Sequence, residues 1–226
     1  MCDLARARPR TVYGPPLVLA LLDRFLYRHP FEGVSARRYA RDERPAFGDL
    51  DDRLAEYFAP LLAKARRMLD VGCGPATFSE LVAARFPSLS VIGIDPSRDF
   101  ASPHPGCAIV RAFGESIPLA DNSIDVAICL SSIRHVRDRR ATLDELRRVV
   151  TGTLVIVELD PEADAERIAT HADALGSPIL RRAFGPFVVK TAPRADAIAT
   201  IAEVAGWQVR RLEPDPIQPV YIMELQ

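Results

Sequence analysis

The chain has 226 residues, of which 48% are hydrophobic, and its formal net charge is −1 at pH 7. This length favours one domain with elaborations, and the hydrophobic fraction is sufficient for a buried core. The near-zero charge excludes a general electrostatic attraction to nucleic acid or to an anionic membrane. The four cysteines form no CxxC pair and no zinc-type spacing, so we expect free thiols, no metal site and a reducing, cytoplasmic setting.

Residues 1–66 predict a helical N-terminal extension. Apolar residues recur at helical spacing near 17–26 and again near 50–65, which indicates two helices. The first apolar run is similar to the core of a signal peptide, but it is short, ends at Asp23 and precedes no small-residue cleavage site. We therefore expect no secretion. No stretch approaches the length that spans a bilayer.

From residue 67 onward, short apolar strands alternate with amphipathic helices. The five expected strands are MLDVG at 68–72, LSVIGID at 89–95, AIVRA at 108–112, IDVAICL at 124–130 and TLVIVEL at 153–159. The intervening helices are ATFSELVAARF at 76–86 and DRRATLDELRRVV at 138–150. This alternation predicts a doubly wound, mostly parallel sheet. Continuous apolar strands are typical of a sheet with helices on both faces.

After the fifth strand the pattern loosens into an insertion at residues 160–192. Asp160 followed by Pro161 is typical of a helix start, which predicts a helix to Gly176. A further helix is expected at 194–205, and the segments WQVRRLE and VYIMEL predict two final strands. The sheet would then have seven strands.

The loop after the first strand is rich in glycine. Gly72 and Gly74 match the first two positions of the dinucleotide pattern GxGxxG, but Thr77 occupies the third. A nucleotide P-loop is excluded because no GK[ST] follows. Asp70 would repel a pyrophosphate and would suit a positively charged ligand. Asp95 ends the second strand, where a carboxylate can accept hydrogen bonds from ribose hydroxyls. A ribose combined with a cationic group describes S-adenosylmethionine.

Five segments resemble, in order and spacing, the motifs of class I S-adenosylmethionine-dependent methyltransferases. They are DVGCGPA at 70–76, VIGIDPS at 91–97, GESIPLADNSIDV at 114–126, SSIRHVRD at 131–138 and ELRRVV at 145–150. The resemblance runs from about Arg67 to Leu159. It implies an α/β, Rossmann-like, doubly wound fold with a seven-stranded, mostly parallel sheet. It also implies S-adenosyl-L-methionine as the cofactor.

The resemblance further implies a set of cofactor-binding residues. They are Asp70, Gly72, Cys73, Gly74, Asp95, Pro96, Phe113, Gly114, Glu115 and Leu130. Phe113 replaces the acid that members of the family often direct at the adenine amino group. Adenine recognition would therefore depend on the backbone of Gly114 and Glu115 and on stacking. Two alternatives stay open: Cys73 as a small packing residue and Glu115 as a solvated loop acid.

His135 is the candidate catalytic residue, because the motif pattern locates it in the loop after the fourth strand. A neutral imidazole, whose ordinary pKa is about 6.5, could take a proton from a hydroxyl acceptor. The alternative is that His135 orients the loop or caps the helix that begins near Asp138. Arg134, Arg137, Arg181 and Arg182 either form an anion site or are solvated. Tyr39 and Tyr57 either cover the cofactor or belong to the core.

We therefore expect a helical extension at 1–66 and a methyltransferase domain at 67–226, with 160–192 as a substrate lid. Four apolar side chains of this lid are expected at the acceptor pocket: Ile179, Leu180, Phe184 and Phe187. The expected partner is a small-molecule acceptor, for example in secondary metabolism, with no nucleic acid and no membrane partner. A homodimer is left open. The alternatives are cofactor binding without methyl transfer, as a regulator or a non-methylating catalyst, and an RNA or protein methyltransferase.

Overall fold

The computed structural model describes residues 30–101 and 104–226. Within these ranges a seven-stranded sheet has the strand order β3-β2-β1-β4-β5-β7-β6. The strands are β1 (Arg67–Val71), β2 (Ser90–Asp95), β3 (Cys107–Arg111), β4 (Ile124–Leu130), β5 (Val150–Leu159), β6 (Val209–Pro214) and β7 (Val220–Leu225). Neighbouring strands among β1–β5 are parallel, and β7 is antiparallel to both β5 and β6. The predicted doubly wound, mostly parallel sheet is confirmed.

Helices cover both faces of the sheet. They are α1 (Val34–Arg38), α2 (Leu50–Tyr57), α3 (Ala59–Leu62), α4 (Thr77–Arg85), α5 (Arg139–Val149), α6 (Ala165–Ala174), α7 (Pro178–Ala183) and α8 (Ala195–Val204). A π-helix (Tyr39–Glu43) and a 3-10 helix (Arg44–Phe47) follow α1, and a second π-helix (Phe184–Val189) follows α7. In the part of the chain described, no helix is both long and apolar enough to cross a bilayer.

Three of the predicted helices differ from the described ones or lie outside them. The helix predicted near 17–26 lies outside the described residues. The helix predicted at 50–65 is divided into α2 and α3, with Pro60 in the first turn of the second piece. The prediction that a helix starts at Asp160 is wrong: α6 starts at Ala165, and its cap is Asp164, which accepts a hydrogen bond from the Arg167 backbone. Asp160 instead forms a turn, in which its carboxylate accepts from the Glu162 backbone at 2.8 Å.

Two apolar clusters lie on opposite faces of the sheet, because successive strand residues point to opposite sides. Met68 belongs to the cluster that contains Leu54, Phe58 and Leu62 of the helical extension. The next residue, Leu69, belongs to the cluster formed with α5 and α8. The described part of the extension thus shares a core with the sheet. The division of the chain at residue 66 stays a prediction.

A partly buried ion pair joins the extension to the edge of the sheet formed by β6 and β7. Arg53 of α2 donates to Asp215, in the turn between β6 and β7, at 2.5 Å. Asp215 is 2% exposed and also accepts from the backbone N–H groups of Gln218 at 2.6 Å and Ile217 at 3.0 Å. Burial alone would raise the pKa of Asp215, but the bonds from Arg53 and these amides outweigh it and hold the pKa below its usual range.

We expect Asp215→Ala to lower the free energy of unfolding by about 2–4 kcal/mol, because Arg53 and two amides lose their acceptor. The matched control is Asp49→Ala, which removes the exposed partner of the same arginine and should cost below about 0.5 kcal/mol. Urea unfolding at neutral pH measures both. The Asp215 contribution is present above the unfolded carboxyl pKa of about 3.9 and is lost as the pH falls through the lower folded pKa. Equal losses in the two variants would contradict this assignment.

Candidate functional site

A cavity of about 710 Å³ lies at the carboxyl ends of β1, β2 and β4. The strand order reverses here, because β2 and β3 lie on one side of β1 and β4 lies on the other. Parallel sheets bind ligands at such a crevice. We call it the first cavity. Its lining includes eight of the predicted site residues: Gly72, Gly74, Asp95, Pro96, Phe113, Gly114, Glu115 and His135.

The glycine loop is fixed to the end of β2 by backbone hydrogen bonds. The N–H groups of Gly72 and Cys73 both donate to the Ile94 carbonyl, at 2.7 and 3.1 Å. Gly72 has φ +71°, and a Cβ there would lie 2.5 Å from the Ser132 Cβ. A side chain at position 72 is therefore excluded both by backbone conformation and by space. The missing side chain allows the backbone to form the cavity wall.

Asp95 is oriented by the same loop. One carboxylate oxygen accepts from the Gly74 N–H at 3.0 Å and the other from the Ser97 N–H at 2.8 Å. Burial raises the pKa of Asp95, and the two backbone bonds oppose that rise. A carboxylate offers about four acceptor positions, so each oxygen can accept a further bond from a ligand hydroxyl.

Three predicted residues do not line the first cavity: Asp70, Cys73 and Leu130. Asp70 is 2% exposed, and its carboxylate accepts from the Ser79 hydroxyl of α4 at 2.7 Å. Burial raises its pKa to about 6, against the opposing effects of Ser79 and Arg44. Asp70 thus holds α4 beneath the loop. Cys73 and Leu130 are buried core side chains. Contact of these three residues with the cofactor stays a prediction.

Two aromatic residues of the extension complete the first cavity. Phe31 stacks on Tyr39, with ring centroids 5.2 Å apart, and meets the His135 ring edge-on at 5.0 Å. Phe31 is held by the Ser97 hydroxyl, which donates to its carbonyl. We did not predict Phe31, because it belongs to no motif. Tyr57 contacts neither cavity: its hydroxyl donates to Glu213 at 2.8 Å.

A second cavity, of about 810 Å³, adjoins the first. The two share four wall residues, namely Phe31, Tyr39, Ser131 and His135. The far wall comes from the insertion and includes His171, Leu175, Leu180, Phe184 and Val188. Of the four apolar residues predicted at an acceptor pocket, Leu180 and Phe184 line this cavity. Ile179 and Phe187 do not, since they are 80% and 57% exposed.

The charged groups of the second cavity are paired. Arg134 is only 2% exposed, so its interpretation as a solvated residue is wrong. Its guanidinium donates to the Val188 carbonyl and to the Thr191 hydroxyl, both at 3.0 Å. Glu158 is fully buried and accepts from the Arg134 backbone N–H at 3.2 Å. Burial raises the pKa of Glu158, and the positive charge of Arg134 opposes the rise.

Comparison with known proteins identifies the domain. Residues 69–156 match the family described as a methyltransferase domain. This match supports a class I S-adenosylmethionine-dependent methyltransferase domain in this part of the chain. The ubiquinone/menaquinone biosynthesis C-methyltransferase of Syntrophotalea carbinolica is 32% identical over 139 residues, which cover 57% of this chain and 59% of that protein. The chain thus spans about three fifths of the length of this curated relative.

Two solved structures show the same fold as this methyltransferase domain. A SAM-dependent methyltransferase from Aquifex aeolicus has a TM-score of 0.65 at 17% identity, with 84% of this chain and 95% of that chain covered. The [4+2]-cyclase SpnF has a TM-score of 0.59 at 16% identity, with 92% and 94% covered. At these identities the likeness concerns the fold alone.

The family's cofactor is S-adenosylmethionine, and the first cavity of the methyltransferase domain fits it chemically. Asp95 can accept bonds from two ribose hydroxyls. The backbone at Gly72 and Gly74 is open to close approach, and Phe113 offers a half-exposed ring for stacking. No phosphate-binding group is required by this ligand.

We expect Asp95→Ala to weaken the binding of S-adenosylhomocysteine, the demethylated product, because two hydrogen bonds to a charged acceptor are lost. The loss of about 1.5–3 kcal/mol corresponds to roughly tenfold to hundredfold in Kd. Calorimetry measures the change. The control is Asp121→Ala, which removes an exposed carboxylate paired with Arg148. An unchanged Kd in a folded Asp95→Ala protein would refute the ribose assignment. If the wild type bound NAD as tightly as S-adenosylhomocysteine, the cofactor assignment would be refuted.

Proposed function

We propose that this protein transfers the methyl group of S-adenosylmethionine to a small molecule bound in the second cavity. The single observation that supports this proposal is the shared wall of the two cavities. A ligand in the first cavity and a ligand in the second meet at Tyr39, Ser131 and His135. The bound cofactor supplies a methyl group already activated on a sulfonium. The protein's main task is then to bring the two molecules together in the reactive orientation.

The size and lining of the second cavity support a small acceptor. The second cavity is bounded by the described extension on one side and by the insertion on the other, which leaves room for a small molecule. Its walls include the aromatic rings of Phe31, Tyr39, Phe47 and Phe184, which exclude water and favour an apolar molecule. The net charge of −1 gives no support to RNA as the substrate.

His135 is the residue best suited to remove a proton from an oxygen acceptor. Burial raises the pKa of Tyr39 to about 12, despite the opposing charge of Arg44, so its phenol stays protonated near neutral pH. Glu158 lines only the second cavity and is not part of the wall that the two cavities share. His135 lies at the junction of the two cavities. Its imidazole can take the proton there.

Cofactor binding without methyl transfer is the second candidate. The observation that favours it is the [4+2]-cyclase, a protein of the same fold whose name states another reaction. The curated relative is named a C-methyltransferase, so carbon is the alternative to oxygen as the accepting atom.

Incubation with methyl-labelled cofactor and a cell extract separates these functions. We expect label in the small-molecule fraction and none in RNA or protein. Label in RNA or in protein would contradict the small-molecule proposal. Cofactor binding by calorimetry without label in any fraction would favour the non-methylating function.

We propose residues 160–192 as the lid of the second cavity, because α6, α7 and the second π-helix supply its far wall. Hydrogen exchange should show greater amide protection at 178–189 when S-adenosylhomocysteine and the label-accepting small-molecule fraction are present together. The surface strand β6 serves as the internal control. Protection at 178–189 that never changes would remove the basis for a lid.

We expect His135→Ala to lower turnover by about a hundredfold or more and to leave cofactor affinity nearly intact. Turnover of the wild type should fall in acid as the imidazole gains a proton, and this dependence should disappear in the variant. Glu158→Gln is the comparison variant, since it keeps the shape of a second titratable group that lines the cavity. Near-normal turnover of His135→Ala would make His135 structural, and a loss confined to Glu158→Gln would make Glu158 the base.

A further inference from the structure

Ser131 has an unfavourable backbone conformation at the end of β4. Its φ is +52°, in the left-handed region that side chains other than Asn, Asp and Gly rarely adopt. Its N–H donates to the Val157 carbonyl of β5 at 2.7 Å, which holds the residue in this position. Such conformations cost about 1–3 kcal/mol and cluster at ligand sites. The strained conformation therefore points to a ligand-binding role for Ser131.

The Ser131 hydroxyl is buried and has no hydrogen-bond partner in the described part of the chain. The hydroxyl of the neighbouring Ser132, in contrast, donates to the Val71 carbonyl. Buried polar groups in native proteins are nearly always hydrogen-bonded, and an unsatisfied one costs stability. Ser131 lines both cavities. Ser131 is thus a residue at their junction whose hydroxyl is left unsatisfied by the described part of the protein.

The second cavity selects against a charged ligand. Arg38 and Glu43 form a salt bridge at 3.0 Å, and the positive charge of Arg134 acts on the buried Glu158. A charged ligand would lose its hydration without gaining an unpaired opposite charge.

Flat rings line the cavity beside these charges. His171 stacks on Phe184 with centroids 4.4 Å apart and an interplanar angle of 12°, and its edge meets Phe47 at 4.7 Å. Aromatic walls of this kind favour a ring compound.

We propose that the second cavity binds an uncharged ring compound and that the Ser131 hydroxyl forms a hydrogen bond with the hydroxyl group of this acceptor. The inference rests on the proposed function in one respect: the ligand is the acceptor only if the protein transfers a methyl group to it. In this position Ser131 fixes the ligand hydroxyl beside His135, four residues further along the same loop.

The test uses 2-naphthol and naphthalene as probes, which differ only by a hydroxyl, and protein saturated with S-adenosylhomocysteine. Ligand fluorescence gives both affinities for the wild type, Ser131→Gly and Ser131→Ala. Glycine deletes the hydroxyl and also relieves the positive φ, whereas alanine deletes the hydroxyl and keeps the strain. The Tm of each variant and its affinity for S-adenosylhomocysteine are measured in parallel.

We expect the wild type to bind 2-naphthol about threefold to tenfold more tightly than naphthalene, as one hydrogen bond provides. Both variants should bind the two probes equally. The Tm of Ser131→Gly should be at least that of Ser131→Ala. 2-Naphthoate should bind the wild type more weakly than 2-naphthol.

Four results would overturn the proposal. A preference for 2-naphthol that survives in both variants would remove Ser131 from the ligand site, and weaker S-adenosylhomocysteine binding would assign Ser131 to the cofactor. Failure of the wild type to bind 2-naphthol would exclude the ring compound, and equal binding of 2-naphthoate would exclude the requirement for an uncharged ligand. These are binding measurements, so their outcome does not depend on methyl transfer. An extract experiment without label transfer would refute methyl transfer but not this binding proposal.

Discussion

The closure of the glycine loop onto β2 is the constraint on which the first cavity depends. One carbonyl, that of Ile94, accepts the N–H groups of Gly72 and Cys73, and the next residue, Asp95, accepts the N–H of Gly74. These bonds turn the chain away from the end of β1 and leave the crevice at the strand reversal open. The same bonds fix the Asp95 carboxylate at the edge of that crevice. The Asp95 carboxylate and the loop that frames the crevice are therefore one hydrogen-bonded unit.

The second cavity depends on a separate network that joins distant parts of the chain. Gln218 donates to the Phe47 carbonyl at 3.0 Å, and its side-chain oxygen bonds His171 Nδ1 at 2.7 Å. The backbone N–H of Gln218 is in turn held by Asp215, the partner of Arg53. The turn between β6 and β7 thus positions both the extension and α6. The β6–β7 edge of the sheet holds no predicted site residue, yet it determines the geometry of the far wall of the second cavity.

Local sequence patterns predicted the parts of the molecule that local interactions determine. The run IDVAICL is the strand Ile124–Leu130 itself, as expected for a short, mainly apolar and β-branched segment between turns. The glycines and Asp95 were predictable since their roles depend on residues close in sequence or on adjacent strands. Asp160 and Asp164 both suit a helix cap, and the difference is tertiary: the Asp160 N–H donates to the Pro219 carbonyl of the neighbouring turn at 2.8 Å. The burial of Arg134 and the stacking of Phe31 likewise depend on segments distant in sequence, which no periodicity reveals.

The carboxyl end of the sheet holds groups whose charged or strained states are unfavourable in the fold. Burial raises the pKa of Asp70 to about 6 and also raises that of Glu158, so the folded state gains stability from these two groups as the pH falls through their folded pKa values. Asp215, at the opposite end of the network, has a lowered pKa and loses its contribution in acid. Ser131 adds backbone strain at the same end as Asp70 and Glu158. The edge of the sheet thus stabilises the fold, whereas groups at the ligand-binding end destabilise it. A site whose polar groups all had partners within the protein could form no hydrogen bonds with a ligand.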